Sequence, residues 1–520
     1  MMIVDSDLLS MQKARILAEN AFEAQRRLAA FTQERLDAIV EAMADAVEGH
    51  VRALAVQSQE ETGYGRWQDK YLKNRFVCDT VRMRLRGMRC VGVIGEDRER
   101  RLLDIGVPVG VVVSLCPVTS PVSTTIHNAL IAIKSGNAII FSPHPRACGS
   151  IGKVLGIMAT AAYAHGLPEG ALAYLDTVTR SGTRELMRHP AVSLVMVTGV
   201  PGMVREARDA GKSVICGGTG HGPAFIERTA DVNRAVRDII ASKTFDNGIA
   251  SSAEQSIVAD ACIEQEVRRA LRENGAYFMS EEESHRLGAL FFCADGRRNP
   301  AMVGLAPAAL ARRAGFCVPE ETTVLVADRR YVSVSDPYCR ELLCPVLALY
   351  VEDDWMHACE KCIELLVHER SAHTLVIHSR DEEVIRQFAL RKPVARLLVN
   401  TPSTFGGMGA TTNLFPSMTL GSGSTGQGIT SDNVSPLHLV YTRRVGYGVR
   451  DMDGTHYANG TAPGTAAGAT AGVTAGDLAA TGQADILNKE DCNSIQMQAL
   501  HRLLQEAIRA MDGSASGDGQ

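Results

Sequence analysis

The 520 residues are 45% hydrophobic and 22% charged, with 47 Gly and 19 Pro. That composition excludes collagen-like, coiled-coil and globally disordered chains and leaves a large globular protein of two or three domains. Basic residues number 54 against 59 acidic ones, a formal net charge of −5, so no bulk field draws a polyanion and nucleic acid is not an expected partner. The N-terminus lacks a secretory pattern, and the apolar run at 105–115 is far short of the ~20 residues of a membrane span, so a cytoplasmic protein without a membrane segment is expected.

Residues 11–90 return apolar side chains every three or four positions and read as helical, with Thr32 as a cap three residues ahead of Arg35. From Ile105 the period changes. The β-branched run GVPVGVVVSLCPV reads as one strand closed by Pro, followed by alternating helices and short apolar strands at AIIFSP, ALAYLDTV and SLVMVTG. These βα units imply a mostly parallel, doubly wound sheet whose ligands sit beyond the carboxyl ends of its strands. A second series begins near Ala230, with a helix running to Asn247-Gly248, mixed helix and strand signal at SAEQSIVAD, a charged helix stopped by Gly275, and strands at TTVLVADR, CPVLALYV, HTLVIHS and ARLLVN. The fold class is therefore α/β, with two doubly wound domains whose strand ends face each other across a cleft.

After about Arg450 the chain turns to Ala, Gly and Thr, which bury too little area to offset chain entropy and read as a flexible linker. Residues 493–511 then place Ile495, Leu500, Leu503, Leu504, Ile508 and Met511 on one stripe, a lone amphipathic helix more consistent with a docking peptide than with a free domain.

Thirteen Cys in an odd number and without zinc spacing fit a reducing compartment, and no metal site is expected; Cys359 and Cys362 form a C-x-x-C on a helix, read as structural. The glycine-rich stretch 217–225 admits close approach of backbone to a ligand but has no long helix behind it, so an active-site loop and a plain turn both remain open. Gly421, Gly423 and Gly426 satisfy G-x-G-x-x-G, yet turn-forming residues follow and the fingerprint is discounted. Ser142, Pro143, His144 and Pro145 follow a strand where a cofactor crosses a sheet edge, and Arg146 could meet a phosphate; Thr198 and Gly199 close another strand ahead of a helix N-terminus able to hold phosphate. From local pattern alone, Glu341 reads equally as a surface acid and His373 as a core or capping histidine.

The segments CPVTSP (116–121), IKSGNAIIFSPHPRA (133–147), VTGVPG (197–202), GTGHGP (218–223), SKTFDNG (242–248), AEQS (253–256), RELLCPVLALY (340–350) and TLGSGSTG (419–426), taken in order, resemble the CoA-acylating aldehyde dehydrogenases over about residues 10–450. The likeness includes the aldehyde dehydrogenase half of bifunctional aldehyde/alcohol dehydrogenases and the propionaldehyde or acetaldehyde enzymes of bacterial microcompartments. The resemblance implies an NAD-binding part with an oligomerisation segment at 1–230 and 425–450 and a catalytic domain at 231–424; beyond it, composition and pattern set the linker at 451–490 and the C-terminal helix at 491–512. It also implies NAD and coenzyme A as cofactors and a homo-oligomer, dimer or tetramer. In the reaction it implies, an aldehyde bound to a Cys as a thiohemiacetal loses hydride to the nicotinamide and leaves as acyl-CoA. Carried onto this chain, Gly218 and Gly220 fall in the cofactor loop, Glu341 near the nicotinamide ribose, His373 in the active-site wall and Thr119 in the loop facing the oxyanion. The terminal helix resembles encapsulation peptides, which implies shell-protein partners and the lumen of a microcompartment in a bacterial cytoplasm.

The chain departs from this pattern at one position. Counting from TFDNG, the family's Cys falls on Ser251, and no Cys lies between Cys216 and Cys262. A hydroxyl without an adjacent histidine in its own segment is a poor nucleophile, so the protein is expected to be inactive or nearly so, by engineered replacement or by natural divergence. Hydrolytic relatives carry a Glu just before their glycine pair; here Cys216 precedes Gly217-Gly218, which favours thiolysis over hydrolysis. Two alternatives remain: a naturally inactive, shell-bound scaffold and a non-acylating dehydrogenase.

Overall fold

Alanine spacing shapes the first helix. Ser6–Leu28 buries Ala14, Ala18, Ala21 and Ala24 on one face, small side chains that let it lie close to the helix Arg180–Arg188. Gln33–Glu48, Val51–Thr62 and Trp67–Phe76 follow, and the Thr32 hydroxyl caps the second helix by accepting the Arg35 N–H at 3.4 Å. The computed structural model describes residues 5–220, 222–369 and 373–449. The expected linker at 451–490 and helix at 491–512 lie outside those residues.

The run read as one strand is two strands in different sheets. Leu102–Pro108 and Val111–Leu115 part at Gly110, which has φ +123° and backbone so near Ser193 that an added Cβ would lie 2.6 Å from its hydroxyl. Only glycine relieves both constraints, and a stretch of β-branched residues conceals the break. Leu102–Pro108 joins Gly92–Asp97 and Val440–Gly446 in an antiparallel three-stranded sheet.

Val111–Leu115 is the centre of a five-stranded parallel sheet with the order Leu172–Tyr174, Ala138–Ser142, Val111–Leu115, Val192–Val197, Ser213–Cys216. Three of these strands are buried along their whole length, save Ser193 at one edge of Val192–Val197, as expected for a sheet covered on both faces. One covering helix runs through Pro145–Ala164, where the sequence pattern predicts a helix, and is long and apolar enough by length and composition to cross a membrane. It turns Ile151, Val154, Leu155, Met158 and Ala162 into the core at three- and four-residue spacing, the pattern of a layer helix.

The second sheet has seven parallel strands in the order Ala276–Phe278, Val324–Asp328, Val346–Glu352, Glu254–Asp260, Gly222–Ile226, Thr374–His378, Arg396–Val399. SAEQSIVAD, ambiguous in sequence, is its fourth strand, and Gly222–Ile226 enters it ahead of the boundary expected at 231. The chain passes from Ser213–Cys216 of the first sheet to Gly222–Ile226 of the second through the glycine-rich stretch. The carboxyl ends of the first sheet therefore meet the amino ends of the second, whereas ligand placement had been argued from carboxyl ends alone.

Candidate active site

The helix Val232–Thr244 stops at Phe245, and the chain reverses through Asp246, Asn247 and Gly248 at φ 51°, 52° and 71°. Two non-glycine residues in the left-handed region are strained unless their side chains are held. The Asn247 amide donates to Gly304 O at 2.8 Å. The fully buried Asp246 carboxylate accepts the Arg66 N–H at 2.6 Å and faces Lys70 at 3.1 Å and Lys73 at 2.5 Å. These lysines reach across to another loop, Lys70 donating to Thr119 O at 2.8 Å and Lys73 to the Ser120 hydroxyl at 2.7 Å. Burial pushes Lys70 down to about 8 against the pull of Asp246, while both ammonium groups hold the Asp246 carboxyl below its ordinary range.

This turn delivers Ser251 to the amino end of the strand Glu254–Asp260. The Ser251 hydroxyl lies 3.3 Å from His373 Nε2, and His373 Nδ1 lies 2.6 Å from the Thr374 hydroxyl. His373 was expected to be a wall residue, and no histidine was found in the nucleophile's own segment. The fold supplies one 122 residues further on, just ahead of the strand Thr374–His378, a proximity no local pattern encodes. Burial, with the Arg396 guanidinium behind it, pushes His373 down to about 3. The ring is neutral at neutral pH and is a weak base.

Gly220 presses on the other side of Ser251. A Cβ there would lie 1.2 Å from Ser251 O and 2.7 Å from its Cα, while the Gly220 N–H donates to Glu341 Oε1 at 2.7 Å. Glu341 is also paired with Arg298, whose Nε donates to Glu341 O at 2.9 Å. Gly220→Ala is expected to cost about 1–3 kcal/mol by overpacking backbone against backbone and to displace Ser251. Urea unfolding should show a lower midpoint than for Gly202→Ala, where an added Cβ meets nothing within 4 Å.

Ser251, Thr119, Thr198, Gly199, Gly218, Glu341 and His373 all line one cleft, partly open to solvent. A second cavity runs along the carboxyl ends of the first sheet, lined by Ser142, Pro143, His144 and Pro145 with Thr179, Arg180 and Thr183; Ser142 is tied to Thr183 at 2.9 Å. The residues present fit a dinucleotide. Apolar Leu115, Val178, Val200 and Met203 line this cavity, a surface on which a purine face could lie, and Gly199, at φ +62°, brings backbone so near Pro117 that a side chain would collide at 2.9 Å.

Arg146 does not join them. It turns away, lies 4.7 Å over the Tyr64 ring, donates to the Tyr64 hydroxyl at 3.1 Å and satisfies Thr62 O at the end of Val51–Thr62. The neighbouring helix N-terminus is taken as well, because the Glu61 carboxylate accepts the Gly149 and Ser150 N–H groups at 2.8 Å. The helix expected to hold phosphate after Gly199 is only six residues long, Val204–Asp209, too short for a substantial dipole. Gly421, Gly423 and Gly426 form a loop returning to the first sheet, with the Ser422 N–H on Cys216 O at 3.2 Å and turn rather than helix directly behind it.

Lys70, Lys73 and Arg298 were not singled out from the sequence. The helix Trp67–Phe76 buries Asp69, Lys70, Lys73 and Asn74 and exposes Leu72, so its polar face is the inner one. The available signal was a three- and four-residue repeat of polar residues beside an isolated leucine.

The chain matches the aldehyde dehydrogenase family over residues 3–294. It is 36% identical to the bifunctional aldehyde-alcohol dehydrogenase AdhE of Escherichia coli K12 over 84% of this chain and 49% of that protein, and so spans about half the length of that relative. The solved structure of an acetylating aldehyde dehydrogenase from Geobacillus thermoglucosidasius shares 40% identity over 86% of this chain and 99% of its own, with a TM-score of 0.84. That of a propionaldehyde dehydrogenase from the Clostridium phytofermentans fucose utilisation bacterial microcompartment shares 26% over 83% and 96%, with a TM-score of 0.74.

Proposed function

The chain belongs to the aldehyde dehydrogenase family, and on that premise we propose that its cleft is built for CoA-acylating oxidation of a short-chain aldehyde such as propionaldehyde or acetaldehyde, with Ser251 in the place of the nucleophile. One observation carries this reading: Ser251 stands between His373 at 3.3 Å and the Gly220 backbone, where the two sheets meet. When bound, the nicotinamide cofactor supplies the hydride acceptor. Thr198, Gly199, Gly218 and Glu341, which line the cleft with Ser251, would hold its reactive half, and Ser142 to Pro145, which line the second cavity, would hold its adenosine half. Thr119, held through its carbonyl by Lys70, lines the cleft with Ser251, where its loop would face the oxyanion.

Ser251 can add to an aldehyde only if its hydroxyl proton goes to His373 Nε2, with Nδ1 donating to Thr374. A base pushed down to about 3 takes that proton poorly, since proton transfer is most effective from a base near the working pH. The protein as it stands is therefore nearly inactive. Thiolysis is favoured over hydrolysis because Cys216, ahead of the glycine pair, is buried with its thiol on Gly426 O at 3.0 Å and pushed up by burial. It offers no carboxylate to activate water.

The expected test uses the Ser251→Cys protein with aldehyde and NAD(P)+. Cofactor reduction that requires CoA and yields a thioester supports the proposal; equal turnover without CoA, giving free acid, overturns it. The Ser251 side chain itself favours a second reading, a catalytically silent scaffold, which predicts no turnover from that protein. The three-stranded sheet, with Val93 and Tyr441 exposed, supports assembly as a homo-oligomer. The amphipathic pattern at 493–511 supports docking to shell proteins inside a bacterial microcompartment.

A further inference from the structure

The helix Arg180–Arg188 repeats arginine every fourth residue, so Arg180, Arg184 and Arg188 share its exposed face while Thr183, Leu186 and Met187 face the core. Opposite stands the short helix Val204–Asp209, which contributes Arg205, Glu206 and Asp209 to a common cavity of about 410 Å³. Four guanidiniums converge there on two carboxylates. Glu206 Oε1 takes Arg180 Nε at 3.0 Å and Arg184 Nη2 at 2.7 Å, while Oε2 is buried without a hydrogen-bond partner. Asp209 approaches Arg205 only to 3.8 Å, with both largely exposed.

Each guanidinium carries five N–H donors, so most donors in this group remain unspent, and net positive charge is concentrated in one place. A solvated helix face has no need to gather four like charges around one hollow. Its position supplies the reason. Arg180 belongs both to this cavity and to the apolar slot lined by Leu115, Val178, Val200 and Met203. Arg180 forms the shared wall, so the rest of the arginine group lies beside the open end of that slot.

We propose that this arginine group is a phosphate subsite that recognises a phosphomonoester on the ribose of an adenosine ligand. It rests on the reading of the slot as an adenosine site. The chemistry is common to the 2′-phosphate of NADP and the 3′-phosphate of coenzyme A, and forked guanidiniums suit a dianionic phosphate better than the bare diol of NAD.

Calorimetric titration of the full-length protein with adenosine 5′-monophosphate, adenosine 2′,5′-bisphosphate and adenosine 3′,5′-bisphosphate tests it. At least one bisphosphate is expected to bind about tenfold more tightly than the monophosphate, consistent with one or two charge-assisted hydrogen bonds. Arg184→Ala and Arg188→Ala, both on the exposed face, are each expected to remove most of that gain and to leave the monophosphate within about twofold of its original Kd. A preference for the 2′ isomer assigns the subsite to NADP, a preference for the 3′ isomer to coenzyme A, and equal tightening to both. Bisphosphates binding no better than the monophosphate overturn the subsite while leaving the adenosine slot intact. Failure of all three to bind overturns both.

Discussion

Replacing Ser251 by Cys is expected to raise kcat/KM for CoA-dependent aldehyde oxidation by about three orders of magnitude or more. The hydroxyl must lose its proton during attack, and its one neighbouring base, His373 at 3.3 Å, is held neutral and weak by burial and Arg396. A thiol needs no such help, since a few per cent is already thiolate at neutral pH. The gain should come mainly in kcat, because the cleft walls that hold cofactor and aldehyde are unchanged. The pH profile of the Cys protein distinguishes the roles. With His373 already neutral above about 3, its rate should rise through the thiol range without an inflection near the ordinary histidine value of about 6.5. Comparable steady-state rates for the Ser and Cys proteins would refute this account of the site.

The same pair marks how far a sequence carries. Position 251 stood out in the sequence because it interrupts an ordered series of motifs. The approach of His373 was not, because it depends on which strand lies beside Glu254–Asp260, and Gly222–Ile226 separates the two in the sheet. Short β-branched runs between amphipathic helices revealed the parallel sheets, and the Thr32 cap stands where it was expected. The division at Gly110 was hidden because positive φ and contact with Ser193 leave no mark in hydropathy. Arg146 looked available for phosphate from its place after a strand; a helix carbonyl and the Tyr64 ring hold it elsewhere. Lys70 and Lys73 failed the ordinary rule that a helix turns apolar residues inward, since their partner Asp246 lies about 180 positions away in sequence.

Asp246→Asn is the substitution expected to cost the most stability. The carboxylate is fully buried between two ammonium groups that are themselves almost inaccessible. Removing its charge leaves the two cations only the weaker compensation of Asp69, a loss of about 3–5 kcal/mol for a buried pair broken from one side. The sign follows from the Asp246 carboxyl lying below its unfolded value of about 3.9. The stabilisation is present above that value and is lost as pH falls through the lower folded one, so the penalty should appear in full at neutral pH. Lys70, already pushed down to about 8, should shed its proton more readily without Asp246, making the variant recover partially as pH rises. A Lys73→Met/Asp246→Asn double variant has one fewer uncompensated cation and should be less destabilised than the single change. Urea unfolding of the three proteins measures this, and a single-variant loss within about 1 kcal/mol of zero would show that the pair contributes little. Because Asp246 also holds the left-handed turn ahead of Ser251, and Lys70 holds Thr119, the variant in the Ser251→Cys background should lose rate even where it remains folded. The charge cluster that stabilises the fold is the one that ties the turn ahead of Ser251 to the Thr119 loop.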